Sequence, residues 1–176
     1  MATATKDITV EDYLASSFDP DMEYVDGVLV ERNVGEPDHS RLQFLIAEAF
    51  RRLEGTREVR VFVVCRVFIA NEPRRKRYRV PDVSLARLPI DRAKALMQAP
   101  LVVVEVLSPD DRLTEMLDRC QDYVMRGVAH IWVVDPAGKV FTVDSGGLHV
   151  VTGDLVIPEL EATIPFDEIF RELHQN

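Results

Sequence analysis

The chain has 176 residues, 47% hydrophobic and 29% charged, a balance that predicts one domain over residues 1–176 with a sizeable core and excludes low-complexity disorder. Its 21 Lys and Arg against 30 Asp and Glu leave a net charge of −9, which argues against non-specific nucleic-acid binding by the surface as a whole. No apolar run approaches the ~20 residues of a membrane helix, and the opening MATATKDITVEDY lacks the basic and apolar regions of a signal peptide. The expectation is a cytoplasmic protein with no membrane attachment.

In chain order, Thr9 with Glu11 and Asp12 opens a short helix over VEDYLAS. MEYVDGVLVER follows, where Asp26-Gly27 between two β-type runs signals a hairpin, because both central turn residues must accept positive φ. Asp38 can cap a helix over 39–54, in which Leu42, Leu45, Ile46, Ala49 and Leu53 recur as one apolar stripe and Gly55 marks the end. EVRVFVVCRVFIA (58–70) reads as a strand, NEPRRKR as a loop and YRVPDVSLARL (78–88) as a second strand. Residues 91–98 suggest a short helix, and LVVVEVL (101–107) is a third strand.

A helix over about 111–126 comes next, with Gly127 as its C-cap, then the buried strand AHIWVVD (129–135). This strand, helix, strand run implies a parallel pair with a right-handed crossover. The tail carries hairpin strands turning at Gly146-Gly147 and a short closing helix over 166–173. The two cysteines, Cys65 and Cys120, sit in apolar surroundings and read as core residues.

One residue is out of place in this pattern. Glu105 interrupts the apolar strand Leu101–Leu107. Side chains alternate along a strand, so Glu105 shares a face with Val103 and Leu107, while Asp82 shares one with Tyr78, Val80 and Ser84 on the preceding strand. If the two strands are neighbours, Asp82 and Glu105 converge. Two buried carboxylates repel and lose hydration, which leaves three resolutions: a retained proton, an Arg or Lys partner, or a divalent cation. Oxygen ligands of this kind suit Mg²⁺ or Mn²⁺. On the following helix, Arg119 lies about a quarter turn from the apolar stripe. It either leans toward the carboxylates or pairs with Glu115 or Asp122. Glu23 in the first hairpin and His39 at the start of the long helix each have an ordinary structural reading as well. The basic segment Arg74, Arg75, Lys76, Arg77 is either a solvated hairpin tip or a phosphate-binding patch.

Taken together, MEYVDGVLVER, DHSRLQFLIAEAF, VPDVSLAR, PLVVVEVLSPDDR and LDRCQDYVMRGVAHIWVVDP resemble the Uma family of restriction-endonuclease-like proteins, within the PD-(D/E)XK nuclease superfamily. The resemblance covers about residues 8–145. It implies an α/β restriction-endonuclease-like core of helix, three strands, helix and strand, which agrees with the order read above, flanked here by an N-terminal hairpin and C-terminal hairpins. It also implies a nuclease in which Asp82 and Glu105 hold Mg²⁺ or Mn²⁺, with DNA as substrate and a homodimer as assembly. Glu23 and His39 match positions at the border of the family's pocket, Glu23 as an accessory acid. The motif's Lys, two residues after the Glu, is here Leu107. The family places that Lys on the next helix, where this chain has Arg119, a phosphate clamp that stays protonated and is a poor general base. The alternative is a fold of this type without turnover, acting as a binding or regulatory module.

Overall fold

A computed structural model of the chain describes residues 5–6, 8–32, 35–91, 93–109 and 111–175. The first elements are β1 (Thr5–Lys6), α1 (Val10–Ala15), β2 (Met22–Val25), β3 (Val28–Glu31) and α2 (Pro37–Arg51). Four strands follow, β4 (Val59–Val63), β5 (Val67–Glu72), β6 (Arg75–Arg79) and β7 (Val83–Arg87), then β8 (Val102–Val106), α3 (Leu113–Arg126) and β9 (His130–Asp135). The chain closes with β10 (Lys139–Asp144), β11 (Gly147–Val151), β12 (Leu155–Ile157), β13 (Ala162–Ile164) and α4 (Phe166–Leu173).

Local chemistry sets most of these boundaries. The Thr9 side chain accepts from the Asp12 N–H at the start of α1. Asp26 (φ 52) and Gly27 (φ 93) supply the two positive-φ turn positions between β2 and β3. Gly127 (φ 83) caps α3 in the left-handed region. For α2 the expected Asp38 cap gives way to Glu36, because Pro37 takes the first helical position, where its missing N–H costs nothing.

A six-stranded sheet in the order β11-β10-β9-β8-β7-β4 forms the centre, and β8 and β9 are its parallel pair, joined across α3. Alternate residues of its strands face opposite layers. Val83, Leu85, Val102, Val104, Val106, Trp132 and Val134 pack on α2 and α4. Ala86, Val103, Ile131 and Val133 pack on Met116, Cys120 and Tyr123 of α3. A second, five-stranded sheet in the order β1-β3-β2-β6-β5 packs Tyr24, Leu29 and Tyr78 around Tyr13 of α1.

The structure corrects four further sequence expectations. Residues 58–70 are not one strand and 78–88 are not one strand. Each run is cut where the chain leaves one sheet for the other, at Val64–Arg66 and at Val80–Asp82. Pro81 has no N–H for a ladder, and Val64 takes a left-handed φ of 48 that a β-branched residue seldom adopts. The two breaks are joined by the Val64 N–H, which donates to the Asp82 carbonyl at 3.1 Å. In NEPRRKR only Pro73 and Arg74 form the turn, since β6 begins at Arg75. None of the described residues in 91–98 is helical. Leu96 instead bridges to Val67, exchanging backbone hydrogen bonds with Arg66 and Phe68.

Leu85 lies fully buried at the centre of β7. Leu85→Ala is expected to lower unfolding stability by about 2–5 kcal/mol. Urea titration followed by the fluorescence of Trp132, the chain's one tryptophan, reads this directly.

Candidate active site

β7 and β8 run antiparallel with Val83 opposite Val104. Asp82, just before β7, therefore stands across from Glu105 in β8. Both are buried, at 3% and 1% exposure. Asp82 is fixed from several sides. Its carbonyl accepts from Val64 and from the Gln43 side chain at 3.0 Å, and its Oδ2 accepts from the Val106 N–H at 2.7 Å. Tyr123 of α3 donates its hydroxyl to Glu105 Oε1 at 2.6 Å.

Arg32, the residue after β3, closes the gap between the carboxylates. Its Nη2 lies 2.8 Å from Asp82 Oδ1 and 3.5 Å from Glu105 Oε2. Arg119 stands on the other side of Glu105, with Nε 3.6 Å from Oε2 and Nη2 3.8 Å from Asp111 Oδ1. Of the two placements the sequence left open for Arg119, beside the carboxylates or paired with Glu115 or Asp122, the structure has the first. Glu105 Oε2, Arg119 Nε and Arg32 Nη1 are buried and have no hydrogen-bond partner among the described residues.

The two carboxyls respond to this setting in opposite directions. Burial would raise Asp82, but the Arg32 guanidinium, the His39 ring and the Val106 N–H outweigh it and hold Asp82 below the usual carboxylate range. Burial pushes Glu105 up to about 7, against the pull of Arg119 and Arg32 and with repulsion from Asp82 and Glu23 added. His39 Nε2 sits 3.5 Å from Asp82 Oδ2. Burial lowers its pKa, and Asp82 reverses the direction and raises it. Gly35 is required beside it, because a Cβ there would lie 2.5 Å from His39 Nδ1.

The other expected residues divide. Glu23 is spent on structure: Oε2 takes Arg79 at 2.7 Å and Oε1 takes the Val80 N–H at 3.1 Å. The basic segment turns away from the carboxylate pair. On β6, Arg75, Arg77 and Arg79 alternate onto one side and converge on the fully buried Asp122 of α3, with Asp118 bonded to Arg77 and Arg79 and Asp26 to Arg77. Arg74 and Lys76 stay exposed at the hairpin end.

A cavity of about 220 Å³ opens on Asp82, and its walls include Arg32, Gly35, His39, Ser40, Gln43 and Val64. Among the described residues no three Asp, Glu, His or Cys side chains gather as a metal cage. The protein offers two carboxylates. That donor set fits Mg²⁺, which keeps several waters and binds through one or two carboxylates plus a substrate phosphate. Glu105 Oε2, which has no hydrogen-bond partner among the described residues, is a hard-oxygen ligand held only by the ion pairs to Arg32 and Arg119, whereas Asp82 Oδ1 also accepts a hydrogen bond from Arg32.

The model of the Uma2 family, described as "Putative restriction endonuclease", matches residues 10–167. A crystal structure described as a putative nuclease belonging to DUF820, from Anabaena variabilis, superposes with a TM-score of 0.80. It is 21% identical, and the match covers 94% of this chain and 99% of that one. At that identity the likeness establishes the fold. No curated protein matches the chain. Among the described residues no helix is long and apolar enough to cross a membrane.

The raised pKa of Glu105 fixes a sign. The folded state binds this proton more tightly than the unfolded state, so the associated stability is present at acid pH and is lost as pH rises through about 4.5–7. Glu105→Gln in chelator is expected to be more stable than wild type at pH 8, by up to about 3 kcal/mol, and near wild type at pH 5. Thermal melts of both proteins across that range check it.

Proposed function

We infer the function from kinship and site together: the chain belongs to the Uma2 restriction-endonuclease family, and we propose that it is a divalent-metal-dependent nuclease acting on DNA. The observation that carries the reading is the pair Asp82 and Glu105, set opposite each other at one end of β7 and β8, buried, with one Glu105 oxygen left without a hydrogen-bond partner among the described residues.

Asp82 and Glu105 would hold Mg²⁺ or Mn²⁺. Such an ion supplies Lewis-acid stabilisation at a scissile phosphate and lowers the pKa of water. The chain's own residues supply the rest. The Val106 N–H and Gln43 fix the carboxylate and carbonyl of Asp82, and the Tyr123 hydroxyl fixes Glu105. Arg119 brings a permanent positive charge beside Glu105, suited to stabilising charge that develops on a phosphate and unsuited to taking a proton from water. His39, on the wall of the cavity that opens on Asp82, is placed to hold or release a proton there. Arg74 and Lys76 are the members of the basic segment left free for backbone phosphates.

A second reading has its own support. Arg32 and Arg119 together already set two positive charges against the acidic pair, so the fold is electrostatically satisfied without an ion, as a binding or regulatory module requires. Plasmid nicking separates the two. With Mg²⁺ or Mn²⁺ the wild type is expected to nick DNA, and Asp82→Asn and Glu105→Gln each to lose more than roughly 100-fold, beyond the usual loss from an outer-shell change. Equal nicking by wild type and variants, or none by any, would select the module.

A further inference from the structure

The Arg32 guanidinium stands where the nuclease reading puts the metal. A single nitrogen, Nη2, reaches Asp82 Oδ1 at 2.8 Å and Glu105 Oε2 at 3.5 Å, so one positive charge bridges both carboxylates. A divalent ion on the same oxygens and this guanidinium exclude each other by charge and by space. The Arg32 side chain is 13% exposed and lines the 220 Å³ cavity, and its other terminal nitrogen, Nη1, has no hydrogen-bond partner among the described residues. Arginine is thus held by one nitrogen of its fork, with the other buried and without a hydrogen-bond partner among the described residues, in a wall of that cavity.

We propose that Arg32 is an internal stand-in for the metal, and that a phosphodiester entering the cavity draws it off the carboxylates and so opens the metal position. Arg32 then clamps the phosphate, and the ion takes its place between Asp82 and Glu105. One guanidinium moves from two carboxylates to one phosphate, a partner that its planar fork matches in two hydrogen bonds. The consequence is ordered loading, with the metal bound weakly by the free protein and tightly in the presence of substrate. The inference rests on the nuclease reading, because it takes the carboxylate pair to be the metal position.

Because linkage is reciprocal, the coupling can be measured without turnover. Mn²⁺ binding to the whole protein is titrated calorimetrically, with and without a duplex oligonucleotide whose backbone resists hydrolysis, for wild type, Arg32→Gln and Arg32→Gln/Glu105→Gln. The expected result has three parts. Without DNA, Arg32→Gln binds Mn²⁺ at least tenfold more tightly than wild type. Glu105→Gln removes that gain. The duplex tightens Mn²⁺ binding to wild type at least tenfold and to Arg32→Gln distinctly less. Should Arg32→Gln fail to fold, the wild-type comparison still decides, since equal Mn²⁺ affinity with and without duplex overturns the proposal. Equal tightening in both proteins also overturns it, leaving a metal nuclease whose ion merely bridges to phosphate. If no protein binds Mn²⁺ even with DNA, the nuclease reading itself falls.

Discussion

Placing two carboxylates side by side in a dry interior is the constraint to which most of the site answers. A single ionised group there loses hydration, and a second adds repulsion. Asp82 and Glu105 meet this with unequal states. Asp82 keeps its charge against a guanidinium, an imidazole and a backbone N–H, while Glu105, deeper and against a phenol, is pushed up to about 7. The asymmetry follows from position in the fold. Asp82 lies at a break where backbone donors and two other elements reach it, and Glu105 lies within β8, paired with Val133 of β9.

A second set of buried charges performs a different task nearby. Arg79 joins Glu23 of β2 to Asp118 and Asp122 of α3, and Arg75 and Arg77 crowd the same Asp122. This network clamps the five-stranded sheet onto the helix that carries Arg119. Removing one partner would strand the others in low dielectric, so such clusters specify an arrangement more than they stabilise it. The basic stretch of the sequence therefore serves internal geometry first, and the protein's net negative charge is compatible with a nuclease whose phosphate contacts are confined to a few positions.

The core order of helix, strands, helix and strand was legible because periodicity and caps agree along the chain: the stripe on α2, the apolar run of β8 and the glycine after α3 each point one way. Glu105 was legible because a carboxylate in such a run violates the pattern, and Arg119 because it sits off the centre of its helix's apolar stripe. The strand breaks at Val64 and Pro81 were not legible, since both sides of each break are apolar or half-buried and hydrophobicity does not record which sheet a residue joins. Arg32 left no local trace. It follows an ordinary hairpin strand, and its partner Asp82 comes 50 residues later, so its role exists only through tertiary contact. Tyr123 contributed to an apolar stripe, and that stripe concealed the one hydroxyl that matters to Glu105. The basic run offered only a solvated tip or a phosphate patch as readings, because its acidic partners lie on a helix some forty residues downstream.

The seam between the sheets gives the site a mechanical character. Asp82 and Glu105 travel with the six-stranded sheet, whereas Arg32 hangs from the end of β3 in the other. The bond from Val64 to Asp82 carries the β4–β7 pairing of the six-stranded sheet up to the seam, and the Arg32 salt bridges cross it. A ligand that drew the guanidinium off the carboxylates would therefore cut an ionic contact between the two sheets, while the Arg79 network would still hold the five-stranded sheet to α3.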